Sequence, residues 1–416
     1  MKLYKKTYYI LLLFSWQTHH LSAQLHRCAT NEVRARHPVW IENQRFVEQQ
    51  IKEALKQKTI ENRTVLKIPV VVHVVWNQAE ENISDEQILS QIEVLNTDFR
   101  ARNTEFSDIP AAFRSVAADT EIEFCLAQLD ARGRSTNGIT RTFTNEIAIA
   151  NNQALIKNGA LGGADAWDSQ RFLNIWVGLR DDNILGEATL PGEASAEEDG
   201  IVMDYRAFGT IGTVAGNEPY ILGRTLTHEV GHYLGLQHLW GSAFDNASCQ
   251  NDDGISDTPL QQSTYSDQCP NQAQRSCSSL DMYMNFMNFT DDACMSMFSL
   301  GQKERMLAVL QSIRANLVNN VEATCKGMNT STNNLQLHQI QISPNPTQDV
   351  LRIVLPDHLA TKTSLCIYNV LGQKIHHAQI LNQREYLLSL ASFASGIYYL
   401  HFHRGEQHLT KTVVLE

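Results

Sequence analysis

The chain has no block of basic residues, no internal repeat, and no apolar run long enough to cross a membrane. Lysine and arginine number 34 against 45 acidic residues, a net charge of −11. Without a basic cluster there is no electrostatic footprint for nucleic acid or an anionic membrane. Charged residues make up only 19% of the chain and apolar ones 43%, the balance of a globular protein with a sizeable core. At 416 residues it exceeds one ordinary domain, so two or three are expected.

The one conspicuous apolar stretch is short and lies at the start. Lys2, Lys5 and Lys6 precede apolar Tyr8 to Trp16, and Leu21-Ser22-Ala23 offers a small residue before a cut. The run falls well short of the ~20 residues that span a bilayer. Residues 1–23 therefore read as a secretory signal peptide, with a buried N-terminal helix as the alternative. Eight cysteines follow, at positions 28, 125, 249, 269, 277, 294, 325 and 366. The four from Cys249 to Cys294 are clustered, which in an oxidising compartment predicts disulfides. Spacing does not choose between the possible pairings.

Residues 24–62 are polar, with a helix expected from about Gln44 to Lys58 and Glu48, Lys52, Glu53 and Lys56 on its exposed side. The segment has too little apolar material to fold alone and should pack on another domain. Ile68 to Trp76 (IPVVVHVVW) reads as a buried strand. Ser84 to Asn103 reads as a helix capped by Ser84, with Ile88, Ile92, Val94 and Leu95 as its apolar residues. Ile122 to Ala127 and Asn174 to Gly178 read as further strands, so a mixed sheet covered by helices is expected. The small, polar stretch from Gly327 to Asn334 reads as a linker, placed at 326–335. Beyond it the apolar period becomes two, as in Leu351, Ile353, Leu355 and in Tyr398, Leu400, Phe402. Residues 336–416 are therefore expected to form a small all-β sandwich.

The chemistry is concentrated in His228-Glu229-Val230-Gly231-His232-Tyr233-Leu234-Gly235-Leu236-Gln237-His238. Histidines four apart on a helix share a face and can bind one metal ion together. Glu229, rotated by ~100° from the first ligand, reaches a water at the metal without displacing it. Gly235 lets the helix end and the chain turn, bringing His238 round as a third ligand. Three neutral nitrogens and one open position suit a catalytic zinc, with Glu229 as general base in peptide hydrolysis. The full pattern is far more specific than its first five residues, and the alternative is a helix with fortuitous histidines.

Downstream, Asn285-Phe286-Met287-Asn288-Phe289 resembles the Met-turn of the metzincins, which places Met287 beneath the metal. Together with Asp253-Gly254-Ile255-Ser256-Asp257-Thr258-Pro259 and Asp292-Ala293-Cys294-Met295, it makes roughly residues 63–325 resemble the pappalysins. The resemblance implies an α/β (α+β) metzincin-like domain with a mixed five-stranded sheet and an active-site helix. It implies disulfides Cys249–Cys277 and Cys269–Cys294. It implies a structural calcium near Asp252, Asp253, Asp257 and Thr258, an exposed acidic loop being the alternative. It also implies cleavage of proteins and peptides before arginine, held by Asp292 at the floor of the pocket. One position departs from the family: a tyrosine that helps hold the tetrahedral intermediate is replaced by Phe289. Arg27-Cys28-Ala29-Thr30 resembles the family's cysteine switch, in which Cys28 takes the fourth zinc position in a latent form. The alternative for Cys28 is a disulfide to Cys125, Cys325 or Cys366. Arg63 is the arginine at the join and the expected self-cleavage point.

Ser343-Pro344-Asn345-Pro346, Ile367-Tyr368-Asn369-Val370-Leu371-Gly372 and Ala394-Ser395-Gly396-Ile397-Tyr398 resemble the sorting domain of type IX secretion. That implies a Bacteroidetes source and that machinery as partner, with secretion to the cell surface or medium. A monomer is expected. Two other readings compete with the arginine-specific peptidase: a metzincin of broader specificity, and a zinc-binding adhesin without turnover. Glu229 favours an enzyme, since an inactive relative is free to lose it.

Overall fold

The structure, a computed structural model, describes residues 26–56, 65–214, 219–241, 248–266, 268–319, 321–325, 340–355, 363–369, 373–380, 383–404 and 407–416. The signal peptide, the linker and Arg63 lie outside them. In chain order the first elements are β1 (His26–Cys28), α1 (Thr30–Ala35), α2 (Pro38–Lys56), β2 (Leu66–Trp76), α3 (Asp85–Phe99) and β3 (Ala117–Ala118). Then come β4 (Ile122–Leu126), β5 (Ile139–Phe143), α4 (Gln153–Ile156), β6 (Leu173–Gly178), β7 (Ile184–Ala188), β8 (Ile201–Asp204), α5 (Arg224–Tyr233) and α6 (Leu300–Gln311).

β2 is the central strand, buried on both faces from Ile68 to Val75, as its unbroken β-branched run requires. On one edge it pairs in parallel with β4 along its first half and β5 along its second; β6 takes the other edge. The sheet continues through β8 to β7, and only the β7–β8 pair is antiparallel. Residues beyond 65 thus fill five positions, because β4 and β5 share one. The sixth is β1, which adds in parallel to β7 with Cys28 opposite Gly186.

α3 is capped by the Ser84 side chain, which accepts from Gln87 N, and it buries Ile88, Ile92, Leu95 and Phe99. It ends at Phe99, four residues before the expected Asn103, because Ala101 takes a positive φ of 50°. α2 begins earlier than expected, at Pro38, a residue suited to a first helical turn where no N–H is needed. Its Val47 and Ile51 pack on Ala308 and Val309 of α6. Glu48 is not a solvent decoration as its spacing suggested. It pairs with Arg305 of α6, since both lie along that helix–helix seam.

The C-terminal block has its own core. Strands Gln341–Ser343, Val350–Val354 and Glu385–Ser389 form one antiparallel sheet. Lys374–Ile380, Thr363–Asn369, Gly396–Arg404 and Gln407–Leu415 form another. Leu351, Ile353, Leu365, Leu400 and Phe402 are fully buried between them, in the alternation read from sequence.

Candidate active site

The ten residues of α5 are all buried. Its end is a Schellman motif: Gly235 N–H donates to His232 O (2.8 Å) and Leu236 N–H to Gly231 O (2.9 Å). Gly235 is the left-handed residue that closes it, with φ 90°, where a side chain would also strike Val309. The chain then doubles back and delivers His238 to the histidines of the helix.

The His238 Nε2 atom lies 3.2 Å from His228 Nε2 and 3.0 Å from His232 Nε2. With Cys28 Sγ, the four ligand atoms all fall within 4.8 Å of one another, the one such group among the described residues. The Nδ1 atoms of His228 and His232 face the carbonyls of Phe286 (2.7 Å) and Leu236 (2.8 Å). A carbonyl only accepts, so those Nδ1 atoms carry the protons and the two Nε2 lone pairs point inward. Burial pushes His228 and His238 well below their usual range and His232 down to about 4, so the rings are neutral. Neutral nitrogens gathered this closely fit a bound cation, and this donor set suits zinc. Met287 lies under the helix against Gly231, which has no room for a Cβ. Phe289 stands edge-on to His238, with ring centroids 4.9 Å apart.

Residues 26–35 cover this centre. Ala29 N–H donates to Gly186 O (3.0 Å), and Thr30 Oγ accepts from Ala188 N–H (2.9 Å) while donating to Glu229 Oε2 (3.1 Å). Asn31 Nδ2 lies 3.1 Å from His238 Nδ1. Burial pushes Glu229 up to about 8 against the pull of the Cys28 and Thr30 hydrogen bonds. Burial and the Glu229 charge push the Cys28 thiol up as well, so a cation is what could hold it as a thiolate.

One residue before Cys28, Arg27 is 1% exposed. Its Nη1 pairs with Asp292 Oδ1 at 2.9 Å and donates to Thr225 Oγ1 at 3.2 Å; its Nη2 donates to Thr290 O at 2.7 Å. The Tyr220 ring lies 4.7 Å from the guanidinium carbon. The other oxygen of Asp292 accepts from Leu222 N–H (2.9 Å) and Arg224 N–H (3.3 Å), at the N-terminus of α5. Backbone donors and helix dipole thus hold the carboxylate where a guanidinium meets it. Sequence reasoning named Asp292 and Cys28, quoted Arg27 only as part of the switch motif with no role of its own, and passed over Tyr220. The available signal was an arginine beside a cysteine expected at the metal, in a chain expected to select arginine.

The disulfides are Cys249–Cys277, Cys269–Cys294 and Cys125–Cys325; Cys28 and Cys366 are free. The structure therefore leaves Cys28 out of any bridge. It does not gather Asp252, Asp253, Asp257 and Thr258 into one cage, and no such acidic group forms among the described residues. Asp257 is occupied at the start of α6, accepting from Ser299 Oγ (2.7 Å) and Gly301 N–H (2.8 Å). Asp252 accepts from Gly254 N–H, and Thr258 donates to Asp253 Oδ1. Asp253 Oδ2 alone is buried without a partner.

Residues 161–311 match the family described as pregnancy-associated plasma protein-A, and residues 341–416 match the secretion system C-terminal sorting domain. An extracellular metalloprotease of Arthroderma otae is 30% identical over 253 residues, covering 60% of this chain and 79% of the relative. Mature mirolysin of Tannerella forsythia, solved with a cleaved peptide, is 42% identical with a TM-score of 0.59; the match covers 63% of this chain and 98% of that one. A promirolysin variant from the same organism is 40% identical with a TM-score of 0.63, over 71% of this chain and 97% of that one. On these matches and the geometry above, the chain belongs to the pappalysin family of secreted metalloproteases and ends in a type IX secretion sorting domain.

Proposed function

We propose that this secreted metalloendopeptidase cuts before arginine and is made as a zymogen with a profragment of residues 24–62, of which residues 26–35 fill the cleft. The observation that carries the reading is Arg27. A buried guanidinium from the N-terminal segment sits on Asp292, one residue from a thiol among the three histidines. An arginine side chain thus already occupies the pocket that the reading assigns to substrate arginine.

His228, His232 and His238 hold the catalytic metal in this reading, and Cys28 blocks the fourth position until the profragment leaves. A zinc ion bound there polarises the scissile carbonyl and acidifies water. Glu229 takes the proton of the attacking water and passes it to the leaving amine. Asp292 holds the guanidinium of the residue after the bond, and Tyr220 lies against it. Met287 supports the helix from below. A structural calcium, where bound, is best placed at Asp253, whose buried Oδ2 lacks a partner. A calcium-dependent rise in melting temperature that Asp253→Asn abolishes is the check.

The experiment is a cleavage-site map of a mixed peptide library with three activated proteins: the parent, Asp292→Ala and Glu229→Ala. The parent should cut before arginine. Asp292→Ala should lose about 10²-fold on those sites and far less on sites before apolar residues, because only the guanidinium loses its counter-charge. Glu229→Ala should keep zinc and fold but cut at less than about a tenth of the parent rate. An arginine preference unchanged by Asp292→Ala places the pocket elsewhere.

A further inference from the structure

Residues 26–56 bring a second arginine to a second carboxylate. Arg34 Nε lies 2.6 Å from Glu193 Oε1, and the Glu193 side chain is only 1% exposed. Glu193 sits in the loop that follows β7, where its Oε2 accepts from Leu190 N–H (3.3 Å). Gln44 of α2 is buried beside it, and Asn43 Nδ2 donates to the adjacent Gly192 O (3.4 Å). The covering groups Arg34, Asn43 and Gln44 all belong to the segment that the proposed zymogen loses. Once it leaves, Glu193 keeps its backbone donor and loses its cation.

The path of the segment fixes where this carboxylate lies. The chain runs from Arg27 at Asp292, past Cys28 at the histidines, into α1. There Thr30 touches Glu229, Asn31 touches His238, and Arg34 follows on the same helix face as Thr30. Four helical residues rise ~6 Å, the span of about two residues of extended chain. Asp292 and Glu193 therefore lie on opposite sides of the histidines. A peptide with its arginine in the Asp292 pocket passes its preceding residues over Glu193.

We infer that Glu193 is the acceptor of a second subsite, one that takes a basic side chain two or three residues before the scissile bond. This rests on the reading that the Asp292 pocket holds the residue after the bond. The preferred substrates are then peptides with basic residues on both sides of the cut. The profragment presents both charges, Arg27 from β1, which pairs in parallel with β7, and Arg34 from the helix that follows it.

The test uses the activated enzyme, freed of its profragment by incubation or limited trypsin digestion, and peptide pairs with arginine after the bond. Each pair differs by arginine or alanine at the second or third position before it. The parent should favour the arginine member by about tenfold in kcat/KM, the value of a desolvated charge pair. Glu193→Gln should erase that ratio while arginine after the bond is still required, and Glu193→Arg should turn the preference toward acidic residues. A parent with equal rates on each pair overturns the inference, as does a Glu193→Gln variant that keeps the ratio. If Glu193→Gln only speeds conversion of the zymogen and leaves the ratio intact, Glu193 is a latch and no subsite. Should Glu193→Gln not be secreted, the parent's ratios alone decide. Failure of the Asp292 reading looks different: the parent would then no longer require arginine after the bond.

Discussion

Phe289 shows what one atom can decide. Its ring is buried against His238, His228 and Trp240, two positions after Met287, where the resemblance to the family implies a tyrosine. A phenyl ring has no proton to offer an oxyanion. Losing one such donor elsewhere costs ~10²-fold in kcat. Phe289→Tyr should therefore raise kcat by about tenfold or more with little change in KM, because the added bond forms only in the transition state. Steady-state kinetics on one arginine peptide check it, and an unchanged kcat would show that the missing hydroxyl has no part in this enzyme. At this scale the sequence was informative where residues lie close along the chain. The spacing of His228, His232, Gly235 and His238 dictates a helix, a Schellman turn and a converging ring. Tyr220, Thr30 and Glu193 carry no such local pattern. Their partners Arg27, Glu229 and Arg34 are all more than 150 positions away.

At the scale of elements, α5 is positioned by what lies beneath it. Gly231 faces Met287 so closely that a Cβ would overlap its sulfur. Gly231→Ala keeps the helix propensity favourable but forces the floor residue away. Such overpacking typically costs ~1–3 kcal/mol. The expected outcome is a melting temperature several degrees lower and weaker retention of zinc in a chelator titration. A variant with unaltered melting and metal retention would mean that Met287 yields freely. Strand β2 was legible because a run buried on both faces needs no partner to identify it. The sharing of its edge by β4 and β5 was not legible, since neither short strand says which half of β2 it faces. Nor did three residues, His26 to Cys28, announce a strand; β1 exists because the edge of β7 supplies its hydrogen bonds. The Cys125–Cys325 bridge closes a span of 200 residues, which spacing could not indicate.

Over the whole molecule, the N-terminal segment is fastened at four stations, and their energies differ. Cys28 lies among the three histidines, Thr30 at Glu229, Asn31 at His238 and Arg27 at Asp292. Arg34 meets Glu193. Furthest along, α2 lays Val47 and Ile51 on α6, while Glu48 pairs with Arg305, whose Nε also donates to Gly235 O at 2.6 Å. A cut between Asn62 and Arg63, outside the described residues, removes only the tether. It lowers the effective concentration of Cys28 at the histidines but leaves every contact of α2 intact. Release should therefore lag behind cleavage, and its rate should depend most on the strongest contact that survives the cut. Fully buried Ile51 is worth ~1.5–3 kcal/mol of apolar burial. The partly exposed Glu48–Arg305 pair is worth ~1 kcal/mol or less. Ile51→Asp should thus shorten activation more than Glu48→Ala, and Cys28→Ala should shorten it as well. All three should yield an active form beginning at or near Arg63 with the parent's kcat/KM, since the altered residues are gone. Activation time courses with N-terminal sequencing check this. Equal times for the parent and all three variants, or a fully active enzyme that still carries residues 24–62, would remove the profragment from the account of latency.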